Sequence, residues 1–232
     1  MAIIQNIKIA VDAIVFGYEN SQLFVLLVKQ KFGDAKNSWC LPGGFVLNDE
    51  SLTTAVTREL REETGVSVNY LEQLYTFGDN IERDPRFRVV SVAYFALVDP
   101  SKLTLKTITD TDAEKAKWFP IDQLPQLAYD HREIIDTAFS RLKNKLTYQP
   151  IGFDLLGTEF LFSELENLYT TLLEKNIDRR NFRKKILGFG IIDETDKIAS
   201  VKSGRPAKLF KFNEKKYREL EQNGFHFEIK FN

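Results

Sequence analysis

The segment Ser51 to Thr64 reads as a helix that places charge where a core should be. On a wheel of about 100° per residue with Leu52 at the origin, Ala55 falls at about 300°, Val56 at about 40° and Leu60 at about 80°, an apolar arc that turns inward. Glu59 at about 340° and Glu63 at about 20° lie inside that arc, and Glu62 at about 280° flanks it. Two carboxylates buried within ~6 Å of each other repel, so a proton or a cation must accompany them. Three oxygen donors favour a hard divalent ion, Mg²⁺ or Mn²⁺. Arg58, at about 240° on the same wheel, can hold Glu62 by a charge-assisted hydrogen bond. Gly43-Gly44 just upstream lets a backbone carbonyl approach the ion, and Gly65 ends the helix.

The rest of the chain is consistent with a packed protein around such a site. A length of 232 residues falls between one and two domains, and 43% hydrophobic residues with 19 Phe supply a core. Cys40 is the one cysteine, which excludes an intramolecular disulfide and a four-cysteine zinc site and predicts a reducing, cytoplasmic setting. No apolar run approaches the ~18 residues of a membrane span, and the opening stretch has no basic leader, so no membrane partner is expected. Net charge is −1 overall, yet Lys175 to Arg218 holds 14 basic residues against 5 acidic ones. Such a local excess points to a surface that faces a polyanion.

Two halves are legible. In the first, Ile7 to Phe16 and Leu23 to Gln30 read as a hairpin around Gly17 to Ser21, Leu71 to Phe77 and Arg88 to Val98 as strands, and Trp118 to Pro120 as the close of another. Asp130 is expected to cap a helix that runs to about Lys145. In the second, Ser163 and Glu166 form a predicted capping box before a helix with Leu165, Leu168, Tyr169, Leu172 and Leu173 on one face. Asp178 caps a second helix to Leu187, stopped by Gly188, with Ile177 and Phe182 as a hydrophobic staple. Strands at Ile191 to Thr195 and Lys208 to Asn213 follow. Helix, turn, helix and hairpin is the order of a winged helix-turn-helix. The boundary predicted is 1–146 and 147–232.

Gly44, Glu50, Arg58, Glu59, Leu60, Glu62, Glu63, Gly65 and Val66 fill every specified position of the Nudix box, which the segment Gly44 to Val66 resembles. The resemblance implies an α/β/α sandwich and hydrolysis of a nucleoside diphosphate linked to another group, assisted by Mg²⁺ or Mn²⁺. Carried over by position, Glu59 and Glu63 are the principal metal ligands, Glu62 and the Gly44 carbonyl assist, Glu50 lies further out, and Arg58 orients the carboxylates. The base that takes the water proton is left open among Glu62, Glu63, Glu82 and Asp84. Gly78 to Val98 resembles the ADP-ribose-type members of the superfamily. Arg83, Arg86 and Arg88 are candidate phosphate ligands at a strand entrance. Phe32 and Trp39 are expected in the core, with stacking on adenine as the alternative. His131 is expected to cap or pack at a helix start, and His226 to lie in the terminal tail; neither is assigned to catalysis.

The second helix of the distal half turns Phe182 and Ile186 inward, which leaves Arg180 and Lys184 pointing away, flanked by Arg183 and Asn181. Arg reads guanine, Asn reads adenine and Lys finds phosphate. The DNA-facing set expected is Arg179, Arg180, Asn181, Arg183 and Lys184 on the helix, with Lys202, Arg205 and Lys208 at a basic wing. Asn181 to Ile186 and Ser203 to Phe212, after Tyr129 to Ile135, make the whole chain resemble the Nudix-related transcriptional regulators. These bacterial proteins join an N-terminal Nudix domain to a C-terminal winged helix. The resemblance implies a homodimer on an operator in double-stranded DNA, responsive to a nucleotide such as ADP-ribose. Two alternatives stand beside it: a pyrophosphohydrolase whose basic domain has no regulatory role, and a regulator whose Nudix domain senses a nucleotide or sugar without hydrolysing it.

Overall fold

The computed structural model describes residues 5–105, 113–199, 206–224, 226–229 and 231. Strands β1 (Lys8–Glu19) and β2 (Gln22–Gln30) form the expected hairpin, but β1 continues through Gly17 and Tyr18. Gly17 pairs with Val98, and the chain turns later, at Asn20 and Ser21, both with positive φ. Two successive left-handed residues match the twist of a tight hairpin. Then follow β3 (Trp39–Cys40), β4 (Gly43–Phe45), α1 (Leu52–Thr64), β5 (Tyr70–Phe77), β6 (Val89–Val98), β7 (Ala113–Pro120) and α2 (His131–Tyr148).

The sheet is mixed, in the order β3-β2-β1-β6-β5, with β4 paired to β1 and β7 to β2. β1 and β6 run parallel from Lys8 opposite Val89 to Gly17 opposite Val98. Every residue from Val11 to Phe16 on β1 is buried, so both faces of the sheet are covered. Val11, Ala13 and Val15 pack with Ala55, Val56 and Leu60 of α1 and with Val92, Tyr94 and Ala96 of β6. β4 lies against β1 with Gly43 opposite Asp12, and a Cβ on Gly43 would come within 2.2 Å of the Val11 carbonyl. Only glycine permits that approach.

The chain divides into two compact units, Met1–Glu19 with Leu23–Arg141 and Asn20–Gln22 with Leu142–Asn232, so that the break in α2 falls between Arg141 and Leu142. The distal unit contains β8 (Phe160–Leu161), α3 (Phe162–Leu173), α4 (Arg179–Phe189), β9 (Ile192–Ala199), β10 (Ala207–Phe212) and α5 (Glu214–Asn223). Its sheet has the order β8-β10-β9. Leu165, Leu168, Tyr169 and Leu172 of α3 are buried as the periodicity predicts, with Phe182 and Ile186 of α4. Tyr169 packs at a tilt against Phe182, 4.8 Å between ring centres, and donates its hydroxyl to the Ile151 carbonyl at 3.0 Å.

Several local expectations are corrected. Helix α3 starts at Phe162, with Ser163 inside it, and it is Glu164 that accepts the Leu161 N–H at 2.7 Å. Helix α4 is capped by Asp178 as expected but runs past Gly188 to Phe189 and ends on Gly190 at φ 66°. Gly188 lies in the helix because the left-handed cap falls two residues later, at Gly190, just before the strand that starts at Ile192. Strand β8 and helix α5 were not expected from the sequence. Among the described residues no helix is long and apolar enough to cross a membrane.

Candidate functional site

Helix α1 is delimited as its sequence dictates. The Ser51 hydroxyl accepts the Thr54 N–H at 3.1 Å, and Gly65 at φ 74° donates its N–H to the Arg61 carbonyl. The helix presents Glu63 to β4: the carboxylate is 3% exposed as a residue and its Oε2 accepts the Gly43 N–H at 2.9 Å. Next to it, Gly44 leaves room for Glu59, since a Cβ there would sit 2.3 Å from Glu59 Oε1.

Arg58 does orient the carboxylates, but its main partner is not Glu62. Its Nε and Nη2 grip both oxygens of Glu50 at 3.0 and 2.7 Å, and its Nη1 donates to Glu59 at 2.8 Å and, at the limit of reach, to Glu62 at 3.4 Å. A planar fork needs two parallel acceptors, and Glu50, which also accepts the Leu47 N–H, supplies them from outside the helix. Hydrogen bonds from Arg58 and the Leu47 N–H hold the Glu50 carboxyl down at about 2. Burial pushes Glu59 above the ordinary carboxylate range, against the pull of Arg58.

Glu59, Glu62 and Glu63 line a cavity of about 590 Å³ together with Asp12, Phe32, Gly44, Arg86 and His131. The carboxylate donors are all oxygen, the type that a hard divalent ion takes, and Gly44 lets Glu59 lie among them. As the side chains stand, Glu63 is held by Gly43 and Glu59 by Arg58. Among the described residues no three acidic, histidine or cysteine side chains converge into a closed metal cage. Cys40 is buried at the cavity, where burial pushes its thiol up to about 12 and makes it a packing group.

The three arginines of the 78–88 region separate. Arg83 lines the cavity but is buried and bidentate on Asp130, with two bonds of 2.7 Å, and lies 3.6 Å from Asp12. Arg86 is locked to Asp84 at 3.0 and 2.8 Å, with its guanidinium over the rings of Phe45 and Tyr129. Its Nη1 faces the cavity wall near Gly33. Arg88 turns instead to the Gly78 and Val89 carbonyls, away from the cavity lining. Of the acids considered for the base, Glu82 is exposed outside the lining and Asp84 is neutralised by Arg86, which leaves Glu62 and Glu63 in the cavity.

Phe32 is not a core residue: it is 65% exposed on the cavity rim. Trp39 packs edge-on against Phe119 at 4.7 Å. The sequence reading did not find Asp12. Its buried carboxylate accepts the Ser91 hydroxyl and faces Nε2 of His131 at 3.5 Å, while Nδ1 of His131 accepts the Leu41 N–H at 2.8 Å. Burial pushes the His131 pKa below its ordinary value, against the influence of Asp12 and Asp130, so the ring is neutral.

In the distal unit, Arg179, Arg180 and Lys184 are exposed on α4. Arg183 is exposed as well, with its guanidinium over Phe162 at 4.3 Å and Phe210 at 5.7 Å. The side-chain amide nitrogen of Asn181 is buried without a hydrogen-bond partner, while the residue as a whole is half-buried. Lys208 is ion-paired to Glu194 on the neighbouring strand. Lys202 and Arg205 lie outside the described residues.

Comparison with known proteins assigns both halves. The NUDIX domain model matches residues 7–138 and the NrtR DNA-binding winged helix domain model matches residues 152–212. The chain is 35% identical over 206 residues to the ADPR responsive transcriptional repressor NtrR of Acinetobacter baylyi, covering 87% of this chain and 80% of that one. It is 37% identical over 120 residues to the ADP-ribose pyrophosphatase of Methanocaldococcus jannaschii, covering 52% and 68% of the two chains. The fold superposes on Shewanella oneidensis NrtR complexed with a 27mer DNA at a TM-score of 0.80, with 34% identity and coverage of 90% and 95%. The NUDIX domain of the same Shewanella protein complexed with ADP ribose matches at a TM-score of 0.55, with 39% identity over 60% of this chain and 90% of that one. The chain belongs to the NUDIX family and, within it, to the Nudix-related transcriptional regulators of the NrtR type, in which a NUDIX domain precedes a DNA-binding winged helix.

Proposed function

We propose that this protein is an ADP-ribose-responsive transcriptional repressor, with a nucleotide-binding half over 1–146 and an operator-binding half over 147–232. The observation that carries the reading is the presence, on one chain, of the nucleotide-sized cavity and of a winged helix whose α4 exposes Arg179, Arg180 and Lys184. Arg86, held rigid by Asp84 with Nη1 toward the cavity, binds a phosphate, and Phe32 offers its exposed ring to adenine. Arg180 and Lys184 meet the DNA backbone and base edges, and a homodimer places two such helices about one turn of DNA apart. The test selects bound duplexes from a random pool and measures affinity for the winner with and without ADP-ribose. Weaker binding on addition of ADP-ribose supports the reading, and failure to select any sequence refutes it. Light scattering of the DNA-free protein checks the dimer.

A second activity, hydrolysis of the bound nucleotide, is favoured by the intact set Arg58, Glu59, Glu62 and Glu63 and by the likeness to a pyrophosphatase. Glu59, Glu63, Glu62 and the Gly44 carbonyl would hold Mg²⁺ or Mn²⁺. Once bound, the ion would neutralise pyrophosphate charge and lower the pKa of an attacking water. Arg58 holds Glu59 in place, and Glu62 or Glu63 accepts the water proton. Release of AMP from ADP-ribose by the wild type but not by Glu63→Gln establishes the activity. Equal absence from both makes the domain a sensor alone.

A further inference from the structure

The residues that begin α2 are tied to two walls of the cavity. Asp130 holds Arg83, 47 positions earlier, through both carboxylate oxygens, and His131 accepts the Leu41 N–H, 90 positions earlier. Leu41 opens the turn that leads to Gly43 and Gly44, and Pro42 within that turn accepts the Ala13 N–H at 2.8 Å. Both ties converge on the buried Asp12, which lies 3.6 Å from Arg83 and 3.5 Å from His131. Because His131 is an acceptor at Nδ1, its proton is on Nε2, facing Asp12. The helix that follows is unbroken from His131 to Tyr148, without proline or glycine, and its residues from Leu142 onward belong to the second compact unit.

Arg83 is therefore shared between the cavity and α2. An anionic ligand that draws its guanidinium competes directly with Asp130. Released from Arg83, Asp130 is a charged group at the start of a helix whose next residue, His131, is itself bonded to the turn beside Glu63. Two discrete arrangements result, Arg83 on Asp130 or Arg83 on the ligand, and a ligand that binds one of them preferentially shifts the balance.

We propose that Asp130 and His131 are the positioning residues through which occupancy of the nucleotide cavity acts on operator binding, with Arg83 as the group that exchanges partners and α2 as the element that it biases. The inference rests on the repressor reading above and deepens it. Reciprocity requires that operator DNA weaken ADP-ribose binding by the same factor by which ADP-ribose weakens operator binding.

The test uses the full chain and a selected duplex, with duplex affinity measured without and with saturating ADP-ribose for the wild type, Asp130→Asn, His131→Leu and His131→Asn. Saturation is set by calorimetry for each variant. The wild type is expected to lose about fivefold or more in affinity on adding ADP-ribose. In Asp130→Asn and His131→Leu the ratio is expected to fall to near one, while duplex affinity without ADP-ribose stays close to wild type. His131→Asn, whose Oδ1 stands where Nδ1 accepts, is expected to keep the ratio. A full ratio in both Asp130→Asn and His131→Leu with ADP-ribose bound overturns the proposal. A wild-type ratio of one with both ligands bound overturns the repressor reading and this proposal with it. Should His131→Leu fail to fold, the isosteric Asp130→Asn decides alone.

Discussion

Arg58 and Glu50 are joined by two parallel hydrogen bonds of 3.0 and 2.7 Å, so the arginine of the acidic helix is anchored chiefly to the loop before that helix, with only a 3.4 Å contact to Glu62 in its own next turn. The remaining nitrogen, Nη1, is thereby aimed at Glu59. Replacement of Arg58 by Lys removes the fork while keeping a charge. Affinity for Mn²⁺, read by electron paramagnetic resonance in the presence of ADP-ribose, is expected to fall by about 10- to 100-fold, as for other residues that orient metal ligands. Wild-type affinity in Arg58→Lys rules out the anchoring role.

Gly44→Ala puts a methyl group where Glu59 now lies, 2.3 Å from its Oε1. The carboxylate must move while the sheet and α1 remain. Mn²⁺ affinity is expected to fall by about tenfold or more with little change in the melting temperature. A variant that binds the ion as the wild type does would show that Glu59 is no ligand.

His131 supplies a pH dependence of stability. Its native pKa lies below the unfolded value of 6.5, so its contribution is whole above about 6.5. As pH falls below that point the unfolded chain takes up a proton that the native state refuses, and stability declines until the native pKa is passed. Urea midpoints measured from pH 7 to 5 are expected to drop more steeply for the wild type than for His131→Asn. Parallel curves would mean that His131 is not held neutral.

On α4, two classes of cation separate by assay. Arg183→Ala removes the guanidinium from the faces of Phe162 and Phe210 and is expected to cost roughly 0.5–1 kcal/mol of stability in the distal unit. Arg180→Ala and Lys184→Ala leave thermal stability unchanged, weaken DNA binding, and each lower the slope of log affinity against log salt by about 1. Unchanged salt slopes in both would place the DNA on another face.

How far the sequence reaches depends on the range of the interaction. Helix α1 was legible because its cap at Ser51, its stop at Gly65 and its 3.6-residue period are all local, and the same wheel placed Glu63 inward, as found. Asp178 and the pair Ile177 and Phe182 were legible for the same reason. Helix α5 was missed because none of its residues is buried, so it has no apolar stripe to read. Strand β8 was missed because two residues, Phe160 and Leu161, carry no alternation.

By itself the sequence determined the acidic helix and the glycines before it, and in the distal half the two helices followed by two strands, since each is written in neighbours a few positions apart. Tertiary structure alone decided which charges remain available. It joined Asp12 to Ser91, Arg83 to Asp130 and Leu41 to His131 over separations of 79, 47 and 90 residues, put Phe32 at the cavity rim, and turned Arg88 to backbone carbonyls. Such pairings leave no periodic trace in a chain. They exist because a buried charge or polar atom must find a partner, and which partner comes within reach is settled only when the sheet has brought distant strands together.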